Sequence, residues 1–197
     1  MISCILLTAG ESLRFGSPKA LAALGSVKAI ELVQQKLIQS LANEIIVVTG
    51  AYETLIKSYV LNHSKVRLVH NKDYKLGQTS SFQTGVSIVD KNSHGFMLLP
   101  IDCPFALTQT IDELILCFHR QTPSILIPTY RGRRGHPPIF HQKLKQSILD
   151  LPKDQGLNCL ITQFPVQSLE LNDPGITQSF NTKEDLEKIL LKARDLR

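Results

Sequence analysis

The chain has no tryptophan, two methionines and four cysteines among its 197 residues. Cys4, Cys103, Cys117 and Cys159 form no CxxC pair, so neither a disulfide framework nor a cysteine zinc site is expected, and a reducing, cytoplasmic setting fits. The histidines at 63, 70, 94, 119 and 141 show no metal-ligand spacing either. No stretch approaches about 18 uninterrupted apolar residues, which removes a membrane-spanning helix from the expectations. The first basic residue, Arg14, follows the apolar run Ile2–Leu7, so the basic-then-apolar order of a secretory signal is missing and that run reads as a strand. Eleven glycines and ten prolines are a background share, and 43% of residues are apolar, which excludes a disordered or collagen-like chain. Nor is the charge extreme. Twenty-two Lys and Arg against 17 Asp and Glu leave +5, an excess that suits an anionic ligand without indicating nucleic acid.

The length is expected to make a single domain, residues 1–197, on a prior of about 150 residues per domain. Such a chain buries roughly 70% of its unfolded surface, enough for one core. Short β-rich apolar runs alternate with stretches of helical period. Strands are expected at Ile2–Leu7, Glu44–Thr49, Val66–Val69, Gly95–Leu99, Ser124–Pro128, Pro138–His141 and Pro165–Leu169. Between them, Ile30, Val33, Leu37 and Leu41 recur at helical spacing, followed by helical stretches at Leu55–Leu61, Thr79–Val89, Gln109–Arg120, Gln142–Leu149 and Gln155–Thr162. A last helix starts at Thr182, with Asp185 three residues on and Leu186, Ile189, Leu190 and Ala193 as its apolar stripe. This alternation predicts an α/β fold, a mostly parallel sheet of about seven strands with helices on both faces.

In such sheets ligands lie beyond the carboxyl ends of the strands. The first strand runs into Thr8-Ala9-Gly10-Glu11-Ser12-Leu13-Arg14-Phe15-Gly16-Ser17-Pro18-Lys19. Ala9 and Gly10 let backbone amides approach a phosphate, Ser12 adds a hydroxyl, and Arg14 and Lys19 bring positive charge, a combination suited to a triphosphate. The loop is neither a Walker A sequence nor GxGxxG. A second strand end gives Pro100-Ile101-Asp102-Cys103-Pro104, where a carboxylate in a stiff context is placed to take Mg²⁺; the same sequence also suits a turn-forming Asp before a helix. A third gives Tyr130-Arg131-Gly132-Arg133-Arg134-Gly135-His136-Pro137, dense in planar cations that suit a phosphorylated small molecule, or equally a solvated hairpin edge. With only Tyr130 and Phe140 interleaved, that segment lacks the stacking aromatics of a nucleic-acid groove.

From Ile2 to about Leu186 the chain resembles the MobA-like nucleotidyltransferases, the family of molybdopterin cytidylyl- and guanylyltransferases. The loop pattern L-x-A/G-G-x-S-x-R-M/F-G-x-x-K is met within Leu6 to Lys19, beginning at Leu7, and Ala9-Gly10 is similar to the cytidylyltransferase branch. The acidic strand end resembles the family's L-x-D-x-P, with Pro100 at the leucine position and Ile101-Asp102 where Gly-Asp is commoner, Gly77 to Gly85 resembles G-x-S-x-S-L-x-x-G, and Gly135, His136 and Pro137 match the segment bordering the acceptor pocket. The departures are Phe82 for leucine, Ser26-Val27-Lys28-Ala29 where a proline-leucine turn is usual, and Asn181 where the family has an aspartate.

The resemblance implies a three-layer Rossmann-like fold with a nucleotide-binding half at 1–100 and an acceptor-binding half at 101–197. It implies nucleotide contacts at Leu7, Ala9, Gly10, Ser12, Arg14, Phe15, Gly16, Lys19, Ser80 and Ser81. Catalytic roles fall to Arg14, Lys19 and Asp102, and acceptor contacts to Arg131, Arg134, Gly135, His136 and Pro137. Asp102 and Asn181 would ligate Mg²⁺ or Mn²⁺, with Asn181 contributing no negative charge. The expected reaction is transfer of CMP from CTP, with GTP or another NTP left open, to an anionic acceptor such as molybdenum-loaded molybdopterin. A methylerythritol phosphate or sugar phosphate acceptor stays open, as does a binding protein without turnover, the reading Asn181 prompts. A molybdoenzyme or its chaperone would be a protein partner, with the chain a monomer or weak dimer, and no nucleic acid or membrane is expected.

Overall fold

The structure, a computed structural model, describes the backbone of residues 1–195 and the side chains of 1–192. In chain order the elements are β1 (Ile2–Leu7), the short β2 (Ala23–Leu24) and β3 (Val27–Lys28), α1 (Ala29–Gln39), β4 (Glu44–Thr49), α2 (Glu53–Lys57), β5 (Val66–His70) and α3 (Gln78–Ser87). There follow β6 (Gly95–Pro100), α4 (Thr108–Gln121), β7 (Ile125–Tyr130), β8 (Arg133–Arg134), β9 (Ile139–His141), α5 (Lys145–Leu149), α6 (Asn158–Gln163), β10 (Val166–Glu170) and α7 (Lys183–Asp195).

Every residue of β1, β4 and β6 is buried, as near-continuous apolar runs require when helices cover both faces of a parallel sheet. These three strands pair in parallel at the centre, with Ile5 of β1 opposite Ile46 of β4 and Leu98 of β6. The full order is β10-β7-β9-β6-β1-β4-β5, with β8 pairing β7 from off this path. The seven strands of that path are those the sequence predicts, and β8 makes an eighth. β9 runs antiparallel between β6 and β7, and β2 and β3 form a separate ribbon around Gly25.

The two faces bury different residues of the same strands, because alternate side chains point opposite ways. Cys4 and Leu6 pack with Ile30, Val33 and Leu37 of α1 and Leu114 and Phe118 of α4. Ile5 and Leu7 pack on the other side with Phe82 and Val86 of α3, Ile148 of α5 and Leu160 of α6. Gly85 lets α3 lie close on that face, since a Cβ there would overlap the Ile5 side chain and come within 3.2 Å of Val48 Cγ2.

Local edges differ from the periodic reading. α1 stops at Gln39, so Leu41 lies past the turn and is half exposed rather than continuing the buried stripe. The helix expected at Leu55–Leu61 is only Glu53–Lys57, because the buried Gln34 amide takes the Tyr59 carbonyl at 2.9 Å and the Leu61 N–H at 2.9 Å. These bonds hold the chain in a non-helical path. α6 starts at Asn158, after turns at its front. In α7, Leu186 is buried and Ile189 and Leu190 pack partly against the core, while the Ala193 side chain falls outside the described residues. Among the described residues no helix is long and apolar enough to cross a membrane.

Candidate functional site

Where β1 ends, Thr8 fixes the outgoing chain by donating its N–H and its hydroxyl to the Val48 carbonyl at 2.9 and 2.8 Å. The loop then turns through Ser12 (φ +54) and Gly16 (φ +75), left-handed positions that glycine adopts without strain and serine only with it. The Ser12 carbonyl accepts from Phe15 and Gly16, and its hydroxyl accepts from the Lys19 N–H at 3.2 Å. Phe15 points inward and packs on Phe180 with ring centroids 5.3 Å apart, tying the loop to the segment before α7. The loop so held borders a cleft of about 310 Å³, lined among others by Leu7, Ala9, Gly10, Ser12, Lys19 and Ser81 and reaching Asp102.

Lys19 is the hub of the cluster at this cleft. Its Nζ donates to Asp102 Oδ2 at 2.8 Å and to Asn181 Oδ1 at 2.9 Å, and lies 5.9 Å from the Phe180 ring centroid. Arg14 donates to the same Asn181 oxygen at 3.0 Å. One neutral amide oxygen therefore serves two cations, and the neighbouring carboxylate serves one of them. Asp185 caps the start of α7, accepting from the Asn181 and Thr182 N–H groups at 2.9 Å, and these backbone bonds hold its carboxyl below the usual range. That capping role is the one the sequence predicts for it.

The chain just past Asp102 is pinned from α1. The Lys36 ammonium of α1 donates to the Pro104 and Ala106 carbonyls at 2.9 Å, and burial lowers its pKa against the opposing pull of Asp173. Cys103, beside Asp102, is buried, and burial with the Asp102 charge raises its thiol pKa. It is thus an inert neighbour rather than a nucleophile.

The basic loop folds into a tight hairpin. Arg131 (φ +50) and Gly132 (φ +74) turn between β7 and β8, and the Glu170 carboxylate accepts from the Thr129 hydroxyl at 2.6 Å and the Arg131 N–H at 2.5 Å. Those hydrogen bonds, the Thr129 one foremost, lower the Glu170 pKa. Gly135 abuts the Ile176 carbonyl, which a Cβ would approach to 2.5 Å, and the His136 N–H donates to that carbonyl at 2.8 Å. Arg134, Gly135 and His136 consequently line a second cleft of about 340 Å³, whose other wall is Asp102 and Pro100, and a third of about 360 Å³ floored by Ile127, Phe140, Leu157 and Ile161. Burial lowers the His136 pKa despite the opposing Asp102 charge, and its Nδ1 is buried without a hydrogen-bond partner.

Leu7, Ala9, Gly10, Ser12, Lys19, Ser81 and Asp102 thus come together on the first cleft, Asn181 joins through Lys19, and Arg14 joins through Asn181. Phe15 and Gly16 shape the loop without lining that cleft. Ser80 lies off it, its hydroxyl donating to the Asp73 and Gly77 carbonyls at 2.9 Å. Arg131 stacks over Tyr130, 5.3 Å from its ring centroid, and neither it nor the buried Pro137 lines the clefts. Thr8, Tyr74, Gln78 and Pro100 line the first cleft without having been singled out from the sequence; the position of Thr8 and Pro100 at strand ends was the available signal. Among the described residues no three His, Cys, Asp or Glu side chains gather as a metal site.

Residues 4–169 match the family described as MobA-like NTP transferase domain. The chain is 24% identical to the molybdenum cofactor cytidylyltransferase of Escherichia coli K12, over 93% of each chain. It is 28% identical to a probable molybdenum cofactor guanylyltransferase of Natranaerobius thermophilus, over 95% of this chain and 94% of that one. The crystal structure of Rv0371c from Mycobacterium tuberculosis H37Rv shares the fold with a TM-score of 0.84 at 20% identity, over 96% of this chain and 97% of that chain. A manganese complex of the same protein gives a TM-score of 0.79 at 20% identity, over 96% and 98%. With the family match running from β1 to β10 across the loop, the Asp102 strand end and the basic hairpin, the chain belongs to the MobA-like NTP transferase family.

Proposed function

We propose that this protein transfers CMP from CTP to a phosphorylated small-molecule acceptor of the molybdopterin kind and releases pyrophosphate. The observation that carries the reading is the shared wall at Asp102, where a cleft built on the glycine-containing loop adjoins one lined by Arg134 and His136. In this reading the backbone at Ala9 and Gly10 and the Ser12 hydroxyl receive the triphosphate, with Lys19 and Arg14 against its charge. The acceptor lies on Arg134, Gly135 and His136, and burial keeps the imidazole neutral there.

The acceptor oxygen forms its bond to the α-phosphorus as the bond to the pyrophosphate oxygen breaks. Lys19 and Arg14 stabilise the charge passing to the leaving group, so positioning and electrostatics carry the rate and no side-chain nucleophile is needed. Asp102 and Asn181 present an all-oxygen donor pair already converging on one cation, which fits a hard divalent ion completed by phosphate oxygens. Mg²⁺ or Mn²⁺ bound there would supply positive charge against the phosphate oxygens. CTP is favoured over GTP because the loop carries Ala9 before Gly10, the form similar to the cytidylyltransferase branch.

The test is pyrophosphate release from each of the four NTPs with Mg²⁺, with and without molybdenum-loaded molybdopterin, comparing the parent with Asp102→Ala. CTP-selective release that needs both the acceptor and Asp102 supports the reading. NTP binding with no release for any acceptor refutes it.

A further inference from the structure

α3 opens at Gln78, after Gly77 turns the chain at φ +112. The run Gln78-Thr79-Ser80-Ser81 offers four polar side chains, and three are engaged by the protein itself. Thr79 donates its hydroxyl to the Gln155 carbonyl; Ser80 donates to the Asp73 and Gly77 carbonyls; the Asn71 amide donates to both serine hydroxyls, at 2.9 and 3.0 Å. Gln78 is exposed, and its amide makes no hydrogen bond among the described residues.

Its position is as distinctive as its freedom. Asp102 and Pro100 join the first cleft to the second, and Arg134, Gly135 and His136 join the second to the third, but Gln78 is the one described residue that lines all three. It therefore stands where a molecule in the nucleotide cleft and a molecule in the basic cleft meet. The group suits two anionic substrates: an amide donates two N–H bonds to phosphate oxygens and accepts one from a hydroxyl. A carboxylate there would repel both substrates. The N-terminal end of α3 opens at Gln78 on the first cleft, and the first N–H groups of a helix, having no intrahelical partner, favour negative charge.

We infer that Gln78 contacts both substrates at once, its amide bonding phosphate oxygens of the NTP and of the acceptor across the point of transfer. The inference rests on the transfer reading above and adds a residue that sets how the two substrates are held relative to each other. Because the side chain has no partner among the described residues, its replacement acts on ligands and leaves folding intact.

The experiment is NMR of the ¹⁵N-labelled chain, with the Gln78 side-chain amide pair assigned as the signal lost in Gln78→Met. CTP with Mg²⁺ is added to saturation, followed by inorganic phosphate as the mimic of an acceptor phosphate. The Gln78 pair shifts in the first step and moves again in the second. Gln78→Met melts at the parent temperature, binds CTP about five- to tenfold more weakly and no longer responds to phosphate, and Gln78→Glu is weaker still. If the Gly10 and Ser12 backbone amides respond to CTP while the Gln78 pair stays fixed, the inference falls and the transfer reading stands. A Gln78 response to CTP alone reduces it to a nucleotide contact and also overturns the inference. If neither Gly10 nor Gln78 responds to CTP, both readings fall.

Discussion

Replacing Lys19 with alanine separates a structural ion pair from a chemical one. The Lys19 and Asp102 side chains are 14% and 25% exposed, and the lysine nitrogen is 2.8 Å from the carboxylate. A pair with that access to water is worth about 0–1 kcal/mol to folding, so the variant should melt within a few degrees of the parent. Its effect on turnover is larger. Without the ammonium, Asp102 and the Asn181 carbonyl face an incoming triphosphate with only the exposed Arg14 nearby. If Lys19 acts as one preorganised donor toward the leaving phosphates, its loss costs roughly 2.7–4 kcal/mol of transition-state stabilisation, on the order of 10²–10³ in kcat. Pyrophosphate release at saturating CTP and Mg²⁺, read beside a thermal melt, measures both quantities. Lys19→Ala turning over at the parent rate would refute the role assigned to this residue.

Gly85→Ala should destabilise the fold by about 1–3 kcal/mol, because its methyl enters the space of the Ile5 side chain. At about 2–4 °C per kcal/mol for a chain of this size, calorimetry showing no fall in Tm would contradict that close packing. At the opposite end of the sheet, the His94 and His119 rings lie 5.9 Å apart, and the pKa values of His119 and His141 are lowered by burial first and then by neighbouring cations including His94. A lowered folded pKa means that the unfolded chain protonates first, so their contribution to stability is complete above about pH 6.5 and is lost as pH falls through the folded values. Melts from pH 7 to 5 should show Tm falling, with a flatter profile in His119→Gln combined with His141→Gln; an unchanged slope in that variant would exclude these histidines as the cause. Asn181→Asp adds a negative charge beside Asp102 and should tighten Mn²⁺ binding measured by electron paramagnetic resonance in the absence of nucleotide. Unaltered Mn²⁺ affinity would remove residue 181 from the ligand set.

The parallel centre of the sheet was legible because β1, β4 and β6 are near-continuous apolar runs, interrupted only by Ser3 and by Glu44 and Thr49 at the ends of β4, a pattern that suits a doubly covered sheet. The loop after β1 was legible for a similar reason, since small residues, a hydroxyl and two cations follow a buried strand directly. Periodicity misled where a distant side chain competed for the backbone, as Gln34 does at Tyr59 and Leu61. Among hydroxyls the sequence offered no ranking: Ser80 and Ser81 look alike, yet of the two only Ser81 lines the first cleft, because neighbours on a helix point about 100° apart.

The sequence by itself determined the layered α/β class and which strand ends run into small residues and ionisable side chains, because these depend on local composition, while the departure at Asn181 is visible only against the family it resembles. Only the tertiary structure decided that Lys19 reaches both Asp102 and Asn181, residues 83 and 162 positions away in the chain. It also decided that β9 enters antiparallel between β6 and β7 and that the clefts adjoin at Asp102 and Gln78. Such pairings follow from how packed layers bring strand ends to one edge, a property of the folded whole that residue spacing does not carry.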